Sequence, residues 1–201
     1  MAPPREIDPQ GLYHVMSRGN YRQTIFPDDD HYAKFVRLLT RVSRKQRWII
    51  LDWCLMPNHF HLAVQLVEGG LSGGMQELNG CYSRWSNSLS GRTGTGHLVK
   101  NRFKGIPLKR DAHFWSVLRY IPLNPVKGKL VKHPADWPWS GYRATVGLEH
   151  PYPFHQPAQL LRFFAATPKV ALRRYRQFIE DGLVQEVHDP WSDEPEPSRR
   201  G

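Results

Sequence analysis

Met56-Pro57-Asn58-His59-Phe60-His61-Leu62-Ala63-Val64 sets two imidazoles one residue apart on a segment that otherwise reads as a buried strand. A strand turns successive side chains to opposite faces, so His59, His61, Ala63 and Gln65 share one side and Phe60, Leu62, Val64 and Leu66 the other. The second face is wholly apolar. This predicts a core there and leaves the histidines on a face open to a ligand, where neutral imidazole is a common metal donor. Spacing alone decides little: with ten histidines in 201 residues, such a pair arises by chance at roughly even odds. On that ground, two surface or hydrogen-bonded strand histidines are the better reading.

Outward from this strand, Trp48-Ile49-Ile50-Leu51-Asp52-Trp53-Cys54-Leu55 predicts a second strand, and Pro57-Asn58 can turn the two into an antiparallel hairpin. Residues 12–18 predict an earlier strand ended by Gly19-Asn20. Pro27-Asp28-Asp29-Asp30 starts a helix in which Tyr32, Phe35, Val36, Leu39 and Val42 recur at helical spacing. After Gly69 and Gly70, Ser72 is placed to cap a second helix carrying Met75, Leu78, Tyr82, Trp85 and Leu89. A short hairpin around Gly105 would join Val99–Phe103 to Ile106–Arg110 and gather Lys100, Arg102, Lys104, Lys109 and Arg110 into the densest basic cluster. A helix is expected from Asp111 until Pro122 and Pro125 disturb it. Trp137–Tyr142 forms an aromatic knot, residues 157–183 hold two more helical patterns, and the last fifteen or so residues read as disordered.

The chain carries 28 Lys and Arg against 18 Asp and Glu, a net charge of +10, which predicts a polyanionic partner. Seven Trp and eight Tyr interleave with that charge, and rings that stack bases beside cations that seek phosphates suit unpaired nucleic acid. A basic surface that only maintains solubility is the plainer alternative. No apolar run reaches the roughly 18 residues of a membrane span, and the first residues lack a signal peptide's apolar segment, so a cytoplasmic, nucleoid-associated protein is expected. Cys54 and Cys81 read as buried free thiols.

Several segments in fixed order carry a resemblance: Tyr13-His14-Val15-Met16-Ser17-Arg18-Gly19-Asn20, Leu55 through His61, Asn101-Arg102-Phe103-Lys104, Arg119-Tyr120-Ile121-Pro122-Leu123-Asn124-Pro125-Val126, and Trp137-Pro138-Trp139-Ser140. The chain resembles the HUH single-tyrosine transposases, and most closely the REP-associated tyrosine transposases. The resemblance implies an α+β fold: a ferredoxin-like antiparallel sheet with helices on one face, plus a C-terminal helical extension. The expected division is a catalytic domain over 1–143, an extension over 144–184 and a disordered tail over 185–201.

The same resemblance implies Tyr120 as the nucleophile. It implies His59 and His61 as ligands of a divalent metal, Mg²⁺ or Mn²⁺, with Asn124 as the amide that completes the set. Asn124 follows Tyr120 by one helical turn, but Pro122 between them removes a helix hydrogen bond and leaves the register open to a bend. The implied function is a single-strand DNA endonuclease and strand transferase acting on hairpin-forming repetitive extragenic palindromes, through a 5′-phosphotyrosine, as monomer or homodimer. His14, Arg18, Arg102, Lys104, Arg110 and Arg119 are the candidate DNA-binding residues. Each has a plainer reading: Tyr120 as a buried helix aromatic, Asn124 as a helix stop, His14 as a hydrogen-bonded strand histidine, the cations as ordinary surface. A noncatalytic nucleic-acid-binding module and a metal-dependent nuclease using water are the rival functions.

Overall fold

Three apolar segments build the centre of the sheet: β1 is Leu12–Arg18, β2 is Ile49–Met56 and β3 is His59–Gln65. Helix α1, Asp29–Lys45, joins the first two; α2, Leu71–Leu89, follows the third and leads to β4, Lys104–Pro107. The computed structural model describes residues 7–89, 98–99 and 103–184. The strand order is β2-β3-β1-β4 with every neighbouring pair antiparallel, which is the ferredoxin-like arrangement expected.

The alternation read from the histidine segment holds. Phe60, Leu62 and Val64 enter one core with Val15 and Leu55, and α1 and α2 close over it through Phe35, Leu39, Met75, Leu78 and Tyr82. Each such fully buried Phe or Leu contributes roughly 1.5–3 kcal/mol relative to exposure. Asp28 caps α1 by accepting from the His31 backbone N–H at 3.0 Å. Helix α2 begins at Leu71, so Ser72 lies inside its first turn instead of capping it. Gly69 and Gly70, at φ 83° and 82°, make the turn into that helix, a backbone region that favours glycine.

The opposite face is covered too. Helix α3, Ala112–Lys127, crosses it and buries Val117, Leu118 and Ile121 against Cys54, Met56 and Ala63. Beyond it come α4, Tyr142–Thr145; α5, Pro157–Leu161; and α6, Pro168–Val184, from which Tyr175 and Ile179 extend the same core. This is the C-terminal helical extension. The two prolines do not end α3, which runs through both. Pro122 and Pro125 are themselves buried with Ile121 and Leu123, and this packing outweighs the missing N–H groups.

Two local expectations change. Gly105 pairs with Val15 inside β4, so it is a strand residue and not the turn of a hairpin. Lys100 and Arg102 lie outside the described residues, as does the 185–201 tail. The aromatic knot proves to be an edge cover: Leu55 N donates to Trp139 O at 2.9 Å, Gly141 N to Trp53 O at 2.8 Å and Trp137 Nε1 to Leu55 O at 3.0 Å. It thereby pairs the open side of β2. Cys54 is buried and Cys81 half-buried, and both are free thiols. No helix among the described residues is long and apolar enough to cross a membrane.

Candidate active site

The β2–β3 turn at Pro57-Asn58 sets the register that places the two histidines. His59 pairs with Arg18 of β1, and His61 with Met16 on one side and Cys54 on the other. His14, Met16 and Arg18 therefore alternate onto the histidine face. Helix α3, capped where Asp111 Oδ1 accepts from Phe114 N at 3.0 Å, brings Tyr120 down onto that face, where it packs against Met16 and Ile106.

The face expected to be open is closed at its centre. His61 and His14 are fully buried, because α3 lies across them, while His59 is half-buried. The Tyr120 ring stands edge-on to His61 with centroids 5.2 Å apart, and it too is 6% exposed. The His59 and His61 rings are 5.0 Å apart. Because α3 continues through Pro122, Asn124 stays on the Tyr120 side of the helix, and its Oδ1 lies 3.2 Å from His59 Nε2. Tyr120, His59, His61 and Asn124 are thus brought together.

Proton positions follow from the neighbours. Asn58 Nδ2 donates to the Arg22 carbonyl at 3.3 Å, so Asn58 Oδ1 accepts from His59 Nδ1 at 2.6 Å. With its one proton on Nδ1, the His59 ring presents the Nε2 lone pair toward the Asn124 oxygen, whereas a second proton on Nε2 would donate to that oxygen. Turning the amide over would let Asn124 Nδ2 donate instead; with the oxygen facing Nε2 and no proton between them, the two atoms can share a cation. His61 Nε2 is buried with no hydrogen-bond partner, and the other ring nitrogen is 3.0 Å from His14 Nε2. His61 is held well below its ordinary pKa, first by burial, then by His59, His14 and Arg18; His14 is pushed down to about 3 by burial, then by His113. Both rings are neutral at pH 7, the form that ligates a metal. The residues present fit a divalent ion held by His59, His61 and Asn124, although no cluster of three His, Cys, Asp or Glu occurs among the described residues.

The candidate DNA contacts separate. Arg18 sits at the site's edge, its Nε buried without a hydrogen-bond partner, which suits an anion. Lys104 pairs with Met16 and shares its face. His14 lies beneath His61, where full burial leaves no surface for DNA, so its place is support of the histidine site. Arg119 points to the extension, its guanidinium 4.2 Å from the Phe178 ring centroid. Arg110 lies over Phe163 at 5.6 Å, away from the histidines. Arg102 lies outside the described residues. Two residues were missed: Lys127, whose Nζ stands 5.0 Å from the Tyr120 ring centroid, and Asn58. The Lys127 signal was its spacing of two helical turns from Tyr120.

A model of the family described as IS200-like transposase matches residues 9–122. The REP-associated tyrosine transposase of Escherichia coli is 25% identical over 118 residues, covering 57% of this chain and 67% of that one. A solved structure described as a REP-associated tyrosine transposase bound to a REP hairpin matches with TM-score 0.60 over 78% of this chain and 92% of that chain, at 22% identity, a likeness of fold.

Proposed function

The chain belongs to the IS200-like transposase family, and on that footing we propose that it is a metal-dependent endonuclease and strand transferase for single-stranded, hairpin-forming repetitive extragenic palindrome DNA. The observation that carries this reading is the 3.2 Å approach of His59 Nε2 to Asn124 Oδ1, which joins residues 65 apart beside Tyr120. A divalent ion held by His59, His61 and Asn124 would draw charge from the phosphate oxygens of the scissile bond.

The chain's own groups do the rest. The Tyr120 hydroxyl gives up its proton to water as its oxygen attacks phosphorus, the bond from phosphorus to the 3′-oxygen breaks, and the departing oxygen takes a proton from water to become a 3′-hydroxyl, so protons balance. The product is a 5′-phosphotyrosine. This linkage keeps the energy of the original diester, so a 3′-hydroxyl can reverse the attack and join strands without ATP. Lys127 puts a positive charge beside the nucleophile where a phosphate must approach, and Arg18 and Lys104 bind flanking phosphates on the same face. His14 and Asn58 orient the two histidine rings from behind.

In this reading residues 1–143 form the catalytic unit, which contains every site residue, and residues 144–184 buttress α3 through Tyr175 and Ile179. The test uses labelled hairpin DNA with single-stranded flanks, Mg²⁺ or Mn²⁺, and a denaturing gel. A covalent adduct that is absent in Tyr120→Phe is expected. Cleavage that persists in Tyr120→Phe would favour water as nucleophile, and binding without cleavage would favour a noncatalytic module.

A further inference from the structure

The loop that leaves β1 holds an aromatic ring in water at a cost in backbone conformation. Tyr21 is 94% exposed, and it stands at φ 51°, ψ 30°. Arg22 follows at φ 59°. Two consecutive residues with side chains in the left-handed region are unfavourable, and a ring in solvent gives no burial in return. Such a conformation persists only where the surroundings over-determine it.

They do so here. Asn20 N donates to Leu98 O at 2.9 Å, Arg22 N to Gly19 O at 3.0 Å and Gln23 N to Asn20 O at 3.0 Å. The Gln23 side chain donates to the same Leu98 carbonyl at 3.0 Å. A Cβ on Gly19 would meet the Gln23 carbonyl oxygen at 2.1 Å, so only glycine lets the loop close this tightly. Tyr21 therefore projects from a fixed backbone.

The loop is also tied to the active site. Gly19 N donates to Asn58 O at 2.8 Å, and Asn58 Nδ2 to Arg22 O at 3.3 Å. The same Asn58 side chain accepts from His59 Nδ1 at 2.6 Å. Arg18, one residue before the loop, pairs with His59 and carries the buried unpartnered Nε. A strand whose phosphate lies at His59 and Arg18 has its next unpaired bases beside this loop.

We infer that Tyr21 is a stacking platform for an unpaired nucleobase flanking the scissile phosphate, held rigid by the Gly19–Gln23 loop and coupled to His59 through Asn58. This site rests on the proposed function and adds a base-binding position to it. An exposed ring on a fixed backbone loses little freedom when a base stacks on it, and stacking tolerates any base.

The test compares wild type, Tyr21→Ala and Tyr21→Phe by fluorescence anisotropy, on a blunt hairpin and on the same hairpin with single-stranded flanks. Because Tyr21 is exposed, the thermal midpoint of each variant should match wild type. Tyr21→Ala should bind the flanked hairpin about ten-fold more weakly, Tyr21→Phe within about two-fold of wild type, and all three should bind the blunt hairpin alike. Equal binding of the flanked hairpin by Tyr21→Ala and wild type would overturn the inference, as would an equal loss on the blunt hairpin. Adduct formation by wild type on the same flanked strand is read separately. Its absence would remove the proposed cleavage reaction, while the anisotropy still decides the stacking site.

Discussion

At the scale of the residue, the candidate site gathers two strand histidines, one helix tyrosine and one helix amide, oriented by hydrogen-bonding neighbours. Asn58 is the clearest of these neighbours, since it fixes which nitrogen of His59 faces Asn124. Asn58→Ala should weaken Mn²⁺ binding roughly ten-fold or more by calorimetry, with the thermal midpoint of the metal-free protein little changed. Lys127→Met should slow adduct formation by roughly 10–100-fold, and Lys127→Arg should restore most of the rate. Unaltered kinetics in Lys127→Met would remove that residue from the mechanism. The four central candidates were named from the sequence through the ordered family segments, since the spacing of the histidines alone favoured ordinary strand residues, and the structure brings the four together. The supporting residues were not legible in this way. His14 looked like a contact for DNA because a strand pattern shows which face a side chain takes, but not that α3 will seal that face. Arg119 read as a DNA ligand from its place beside Tyr120, whereas one position before the tyrosine the helix turns its side chain to Phe178.

At the scale of the element, the strands were the most legible part, because their runs of apolar residues suit segments that the structure buries on both faces, all but the end residues of β1 and β3 and the first of β2 being buried. The caps were legible where a carboxylate precedes a helix, at Asp28 and Asp111. Helix α3 was expected to be disturbed at Pro122 and Pro125, with the register from Tyr120 to Asn124 open to a bend, since local propensity penalises proline by about 3 kcal/mol. The structure shows it continuous, because the buried stripe from Phe114 to Leu123 is held from both sides by β2 and α6. That continuity puts Asn124 within reach of His59. Asp111→Ala removes the cap that starts this helix and should lower stability by about 1 kcal/mol in denaturant unfolding. No change would mean that α3 is anchored by packing alone. The β4 hairpin was misread because Gly105 looks like a turn residue, and only its pairing partner Val15 shows otherwise.

At the scale of the whole molecule, the +10 charge predicts DNA affinity that falls steeply with salt, and Arg18→Ala should flatten the slope of log affinity against log salt by about 0.7 on a single-stranded substrate. Stability carries its own pH signature, set where the extension meets the sheet. Asp52 is fully buried and pushed from 3.8 up to about 8 by burial, partly offset by its hydrogen bond from the Trp53 backbone. A carboxyl raised in this way keeps a proton that the unfolded chain releases. Its contribution is full below about pH 4 and is lost as pH rises toward 8, at up to about 1.4 kcal/mol per pH unit. His155, pushed down to about 4 by burial, acts oppositely and loses its contribution as pH falls from 6.5. Between pH 6.5 and 8 the Asp52 effect stands without the His155 one, so wild-type thermal midpoints should fall over that range and Asp52→Asn should remove the fall. A slope unchanged in Asp52→Asn would place its origin elsewhere. The central claim, that Tyr120 cleaves a DNA strand and keeps its 5′ end, is tested most directly by end-labelling a flanked hairpin strand and resolving the products under denaturing conditions. The account predicts that the 3′-labelled fragment stays bound to the protein, through a peptide containing Tyr120, while the 5′-labelled fragment is released with an extendable 3′-hydroxyl. Retention of the 5′-labelled fragment, or cleavage with no bound fragment at all, would contradict it.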